Sequence, residues 1–184
     1  VPAGTGGQGR EIIGTPRNDR LVGTPFDDRI DGRQGFDVMI GGRGDDTYFV
    51  DATHGRHHHG HHGHHGHGHH GHGRDHWSRV DQVVENPNEG HDVVYSSASY
   101  ALPANVEDLH LLGSRNLDGT GNAQANWIEG NRGRNKLSGG AGDDLLQGLG
   151  GNDDLRGGAG FDVLQGGSGR DKLLDREGST VFDG

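Results

Sequence analysis

The sequence predicts an all-β chain wound as a parallel β-solenoid, a β-roll, and three observations carry that expectation. Glycine, with 38 copies among 184 residues, recurs at a fixed spacing of nine in two stretches. A large apolar residue falls at the eighth position of each nine. Little else is apolar: hydrophobic residues make up 28% and aromatics 5%. Such a composition alone reads as disorder. Fixed spacing instead marks a repeat architecture, in which each unit buries its apolar residue against its neighbours.

Taken in order, residues 1–13 are an N-terminal tail or a degenerate first repeat. Residues 14–50 hold the first array, which reads GTPRNDRLV, GTPFDDRID, GRQGFDVMI and GGRGDDTYF. Residues 51–80 carry a His-rich loop insertion. Residues 81–120 read as linking strands of the solenoid, in which Val83, Val93, Tyr95, Leu109 and Leu111 alternate with polar residues. Residues 121–174 hold the second array: GNAQANWIE, GNRGRNKLS, GGAGDDLLQ, GLGGNDDLR, GGAGFDVLQ and GGSGRDKLL. Residues 175–184 are a C-terminal cap or a secretion-signal remnant. Val1 to Gly9 lack the charged and apolar regions of a cleavable signal peptide.

The shared pattern is G-G-x-G-x-D-x-U-x, with U large and apolar. Glycines at the first, second and fourth positions permit positive φ and let backbone carbonyls crowd a cation. The sixth-position aspartate supplies a carboxylate where the turn ends. The last three residues make a short strand whose middle side chain points inward. The predicted core ladder is Leu21, Ile30, Met39, Tyr48, Ile128, Leu137, Leu146, Leu155, Leu164 and Leu173.

Two nonapeptides make one turn, so residues on one edge stack at a spacing of eighteen. Carboxylates expected to share an ion are Asp19 with Asp37, Asp28 with Asp46, Asp144 with Asp162, and Asp153 with Asp171. Asn126 and Asn135 hold the sixth position of their units and offer a neutral amide oxygen, so the sites they share with Asp144 and Asp153 should be weaker. The glycines expected to turn around an ion are Gly41, Gly42 and Gly44, then Gly139, Gly140 and Gly142, then Gly157, Gly158 and Gly160. Arg17 and Phe26 replace the fourth glycine in the first two units, which predicts incomplete occupancy there. The competing reading is a metal-free β-helix using aspartate only in Asx turns. A stacked acidic ladder would then repel itself.

These repeats, together with the stretch VDQVVENPNEGHDVVYSSASYALPANVEDLHLLG after the first array, resemble the RTX family of calcium-binding β-rolls with hemolysin-type nonapeptide repeats. The resemblance implies several bound Ca²⁺ ions, an extracellular location and passage through type I secretion machinery. It also implies folding driven by Ca²⁺ after export, since calcium is scarce in the cytosol.

The tract from His54 to His76 interleaves imidazole with glycine. Its candidate ligands for Zn²⁺, Ni²⁺ or Cu²⁺ are His57, His58, His59, His61, His62, His64, His65, His67, His69, His70 and His72. A solvated insertion without a ligand and a pH-responsive loop are the alternatives. His91 and His110 read as ordinary surface residues.

Other classes are disfavoured. A formal net charge of −10 opposes nucleic-acid binding and anionic lipid. The chain has no cysteine for disulfides or thiolate sites. No apolar run approaches the roughly 20 residues of a membrane span. There is no H-E-x-x-H, no G-x-S-x-G and no P-loop. Gly4, Gly6 and Gly9 match G-x-G-x-x-G only formally, so no catalysis is expected. Three functions stay open: a calcium-stabilised binding module, a transition-metal scavenger built on that scaffold, and a carrier domain of a larger exported enzyme or toxin. A protein partner is unknown.

Overall fold

The computed structural model describes residues 8–53, 79–175 and 181–183. Among the described residues there is no helix. Every ladder is parallel except a short antiparallel pair, Ala52–Thr53 with Arg79–Val80. One sheet stacks nine strands: Glu11–Ile13, Arg29–Asp31, Thr47–Val50, Val93–Ser96, Asp108–Leu111, Trp127–Glu129, Leu145–Gln147, Val163–Gln165 and Val181–Asp183. The opposite wall comes in two pieces. The first is Arg20–Val22, Val38–Ile40 and Gln82–Val84; the second is Tyr100–Ala101, Asp118–Thr120, Lys136–Ala141, Asp154–Ala159 and Lys172–Leu174. The chain is thus a parallel β-roll.

The register follows the repeat. Ile30 pairs with Tyr48 and Leu146 with Leu164 on the long sheet; Leu21 pairs with Met39 and Leu137 with Leu155 opposite. Because side chains alternate along a strand, only the middle residue of each three faces inward. Ile30, Met39, Tyr48, Ile128, Leu137, Leu146, Leu155 and Leu164 are fully or almost fully buried, while Leu21 and Leu173 at the ends are partly buried. Each fully buried aliphatic contributes about 1.5–3 kcal/mol, so a single file of them suffices for a narrow roll.

The linking strands continue this ladder. Val83, Val94, Leu109 and Leu111 are buried. Val93 and Tyr95 face outward instead, because Val94 is the residue aligned with Tyr48. On the outer face Tyr95 stacks between Phe49 and His110, with ring centroids at 5.3 and 5.0 Å, and Trp127 meets His110 edge-on at 5.0 Å. The Arg29 guanidinium caps this row 4.0 Å above the Phe49 ring. Stacked aromatic and cation–π contacts of this kind each add about 0.5–1.5 kcal/mol.

Strand Val38–Ile40 pairs directly with Gln82–Val84, and Thr47–Val50 with Val93–Ser96. Hydrogen bonds that elsewhere link residues 18 apart here link Asp37 to Asp81 across 44 residues. The excess of 26 residues is an insertion that leaves the ladder unbroken, and the Ala52–Thr53 and Arg79–Val80 pair holds its two ends together.

Candidate metal centre

The sixth-position residues form two stacked rows, one along each edge of the roll. In six pairs the Oδ1 of the later residue accepts the backbone N–H of its counterpart one turn earlier. Asp37 accepts from Asp19 at 2.7 Å and Asp46 from Asp28 at 2.6 Å. Asp144 accepts from Asn126 at 2.8 Å, Asp153 from Asn135 at 2.8 Å, Asp162 from Asp144 at 3.0 Å and Asp171 from Asp153 at 2.9 Å. All four carboxylate pairs expected from the repeat spacing are therefore brought together.

Each carboxylate has a second oxygen. The Oδ2 atoms of Asp37, Asp46, Asp144, Asp153 and Asp162 are buried and have no hydrogen-bond partner. A buried polar atom left unpaired costs about 1–3 kcal/mol, and more when charged. Repeated in five units, that cost favours a positive partner for these oxygens. They are hard, anionic donors of the kind Ca²⁺ takes, so the side chains present fit that ion.

The glycines keep the space beside those oxygens clear. A Cβ on Gly32 would lie 2.6 Å from Asp37 Oδ2, and one on Gly148 would lie 2.5 Å from Asp153 Oδ2. At Gly41, Gly139 and Gly157 it would crowd Asp46, Asp144 and Asp162 closer still. At the second and fourth positions the need is conformational: Gly140 and Gly142 have φ of 116° and 108°, the region that disfavours side chains. Gly42, Gly44, Gly158 and Gly160 share that positive φ.

Two kinds of unit satisfy the sixth residue internally. In the first two units threonine replaces the second glycine. The Thr15 N–H and hydroxyl donate to Asp19 Oδ2 at 2.6 and 2.7 Å, and Thr24 does the same for Asp28. In the first two units of the second array, asparagine replaces aspartate. Asn126 Oδ1 accepts from Asn122 N–H while its Nδ2 donates to the Val106 and Glu107 carbonyls at 3.2 and 3.0 Å. Asn135 Oδ1 accepts from Asn131 N–H and its Nδ2 donates to the Leu117 carbonyl at 2.9 Å. These four residues close their turns without leaving a buried oxygen bare.

Burial pushes the Asp37 carboxyl up to about 6 and the Asp46 and Asp144 carboxyls up to about 7, with neighbouring carboxylates adding to the rise. Asp153 and Asp162 rise for the same reason. Loss of hydration is the larger cause and mutual repulsion the smaller one. Asp19 moves the other way, lowered by its hydrogen bonds from Thr15.

Three further acids come from outside the nonapeptides: Asp81 and Asp92 extend these rows, and Glu85 stands beside them. Asp81 Oδ1 accepts the Asp37 N–H at 2.9 Å and its Oδ2 accepts the Asp51 N–H at 3.0 Å. Asp92 Oδ1 accepts the Asp46 N–H at 2.8 Å. Glu85 lies under Gly41, whose N–H donates to Oε1 at 3.2 Å. Their signal in the sequence was the run Asp81 to Glu85 and the pair His91–Asp92, readable as ladder positions only once the insertion is subtracted. His91 lies 3.0 Å from Asp108 Oδ2, which holds its imidazole above the usual range. The histidines from His57 to His72 named above lie outside the described residues.

The family model of the RTX calcium-binding nonapeptide repeat matches this chain in 4 copies, over residues 13–48, 120–155 and 147–174. The chain is also 30% identical over 127 residues to an endo-1,3-1,4-beta-glycanase, ExsH, of Rhizobium meliloti (strain 1021). That match covers 69% of this chain and 20% of the glycanase, so the chain spans about a fifth of that relative's length.

Proposed function

Because this chain belongs to the RTX calcium-binding nonapeptide-repeat family, we propose that it is a secreted module whose folding is switched on by Ca²⁺ after export, with no catalysis of its own. The observation that carries this reading is the set of five buried aspartate oxygens without partners. Asp37, Asp46, Asp144, Asp153 and Asp162 would hold the ions, with Asp19, Asp28 and Asp171 completing the stacked pairs. Calcium would supply positive charge where burial makes an unpaired carboxylate costly. Without it the same acids oppose folding, and with it the binding free energy becomes folding free energy. Typical extracellular calcium modules bind at roughly 10⁻⁴ to 10⁻³ M, above cytosolic levels, so export itself would act as the trigger.

Circular dichroism with calcium added and then chelated tests this, with elemental analysis counting the metal. Strand signal that appears with calcium and is lost in EGTA is the expected result. A fully ordered chain in EGTA with no change on adding calcium would remove the proposal.

A second reading is that the roll is the carrier portion of a longer exported enzyme. It is favoured by the likeness to a glycanase of which this chain covers only a fifth. Sequencing the gene upstream separates the two: a catalytic region in the same reading frame would make the roll a passenger's folding and export aid.

A further inference from the structure

We propose that the ion at Asp46 lies in a divalent-cation site completed by Glu85 and Asp92, from beyond the first array, and that this site fastens the array to the linking strands across the insertion. This rests on the calcium-binding reading above and deepens it. The three acids are almost wholly buried, at 1%, 7% and 1% exposure, and each offers an oxygen within 4.8 Å of the others. An acidic cluster alone would mean little. Here Asp46 Oδ2 and Glu85 Oε2 are both buried without a hydrogen-bond partner.

The surroundings show why a positive ion belongs there. Glu85 Oε1 is held by the Tyr48 hydroxyl and by the Gly41 N–H, which fixes the side chain and turns Oε2 free of them. Asp92 is held by donating its N–H to Glu107 Oε2 at 2.9 Å and by accepting the Asp46 N–H. A Cβ on Gly41 would collide with Asp46 Oδ2, the Tyr48 hydroxyl and Glu85 Oε1, so that glycine lies in a cradle of oxygens. The leading electrostatic neighbours of Asp46 and Asp92 are other carboxylates.

The position of Glu85 is informative. Gly41 and Glu85 lie 44 residues apart, the same separation as Asp37 and Asp81. Glu85 therefore occupies the place where the next repeat would begin with glycine. The first array ends at Gly41–Phe49, and no nonapeptide follows to supply the next turn's carboxylate. Glu85 and Asp92 supply it from the far side of the 26-residue excess. An all-oxygen set of three carboxylates suits Ca²⁺ rather than an imidazole-preferring metal. Binding would join residues 46 and 85 directly, so the turn interrupted by the insertion would be secured by the ion as well as by strand pairing.

The test uses the full chain, with calcium counted by equilibrium dialysis and elemental analysis. Glu85→Gln retains an oxygen for the Tyr48 hydroxyl and the Gly41 N–H but loses the anionic donor. The expected result is one fewer calcium per chain than wild type, with the roll still formed. An unchanged count overturns this inference alone. A wild-type chain that takes up no calcium overturns both this inference and the calcium-binding reading. Should Glu85→Gln fail to fold, Tb³⁺ in place of Ca²⁺ decides, because a lanthanide beside Tyr48 is excited through its ring. Tyr48→Phe should then lose much of the tyrosine-excited emission. Emission unaffected by Tyr48→Phe overturns the site.

Discussion

Asp144→Asn removes one negative charge and one bare oxygen from the second array while leaving an oxygen to accept the Asn126 N–H. Its effect is expected to change sign with calcium. Burial raises the Asp144 carboxyl from 3.8 to about 7. At about 1.4 kcal/mol per tenfold, keeping it ionised at pH 8 costs folding on the order of 4 kcal/mol. Partial screening near the edge of the roll lowers this to about 2 kcal/mol. The amide escapes that cost, as Asn126 one turn earlier does by donating to two backbone carbonyls. In EGTA the variant should therefore be more stable than wild type by about 2–4 kcal/mol. In saturating calcium it should be less stable, because an anionic ligand has gone, and its calcium midpoint should rise about tenfold or more. Urea unfolding followed by circular dichroism measures both states, with trimethylamine oxide used to drive folding where the calcium-free chain is unfolded. Destabilisation of equal size with and without calcium would refute the reasoning, since it would make Asp144 a plain hydrogen-bond acceptor.

Five other outcomes follow from the same geometry. In EGTA, stability should fall as pH rises from about 4 to 8: the folded-state carboxyls of Asp37, Asp46, Asp92 and Asp144 lie at about 6 to 7, above their unfolded value of 3.8, so their ionisation opposes folding. Over the same range the calcium midpoint should fall, because protons compete for the ligands; a pH-independent midpoint between 6 and 8 would count against it. Asp19→Asn should move the calcium midpoint less than Asp37→Asn, since Thr15 already satisfies Asp19 whereas Asp37 Oδ2 is bare. Leu155→Ala should cost about 2–5 kcal/mol and Phe161→Ala, 63% exposed, about 0.5 kcal/mol or less, both read from denaturant midpoints in calcium. Deleting residues 54–78 should leave the calcium count unchanged, because the ladder closes without them; zinc uptake lost on deletion would assign that metal to the tract.

Much of this architecture was legible in the sequence because one number governs it. A spacing of eighteen placed Ile30 over Tyr48, Leu146 over Leu164 and Asp144 beside Asp162, and the structure has each of these. Two features were hidden by departures from that number. The insertion shifts the register by 26 at Asp81 and Glu85 and by 28 at Asp92, so these looked like scattered acids of the linking strands, although Asp81 and Asp92 extend the two edge rows and Glu85 stands at a first position beside them. The same shift obscured which of Val93, Val94 and Tyr95 faces inward. The second feature is chemical. The weakness of the first two units was traced to Arg17 and Phe26, but the structure shows Thr15 and Thr24 taking up the carboxylate oxygens that an ion would otherwise meet. A spacing rule reports where a side chain stands; it does not report which neighbour reaches it first. Repulsion between stacked acids is present as the spacing implies, and hydration lost on burial adds the larger share.

A crystal structure grown in calcium, with anomalous scattering recorded to locate the ion, tests the central claim most directly. Peaks should appear beside the bare oxygens of Asp37, Asp46, Asp144, Asp153 and Asp162, on both edges of the roll. Water or protonated carboxyl pairs at those positions, with no anomalous signal in saturating calcium, would contradict it.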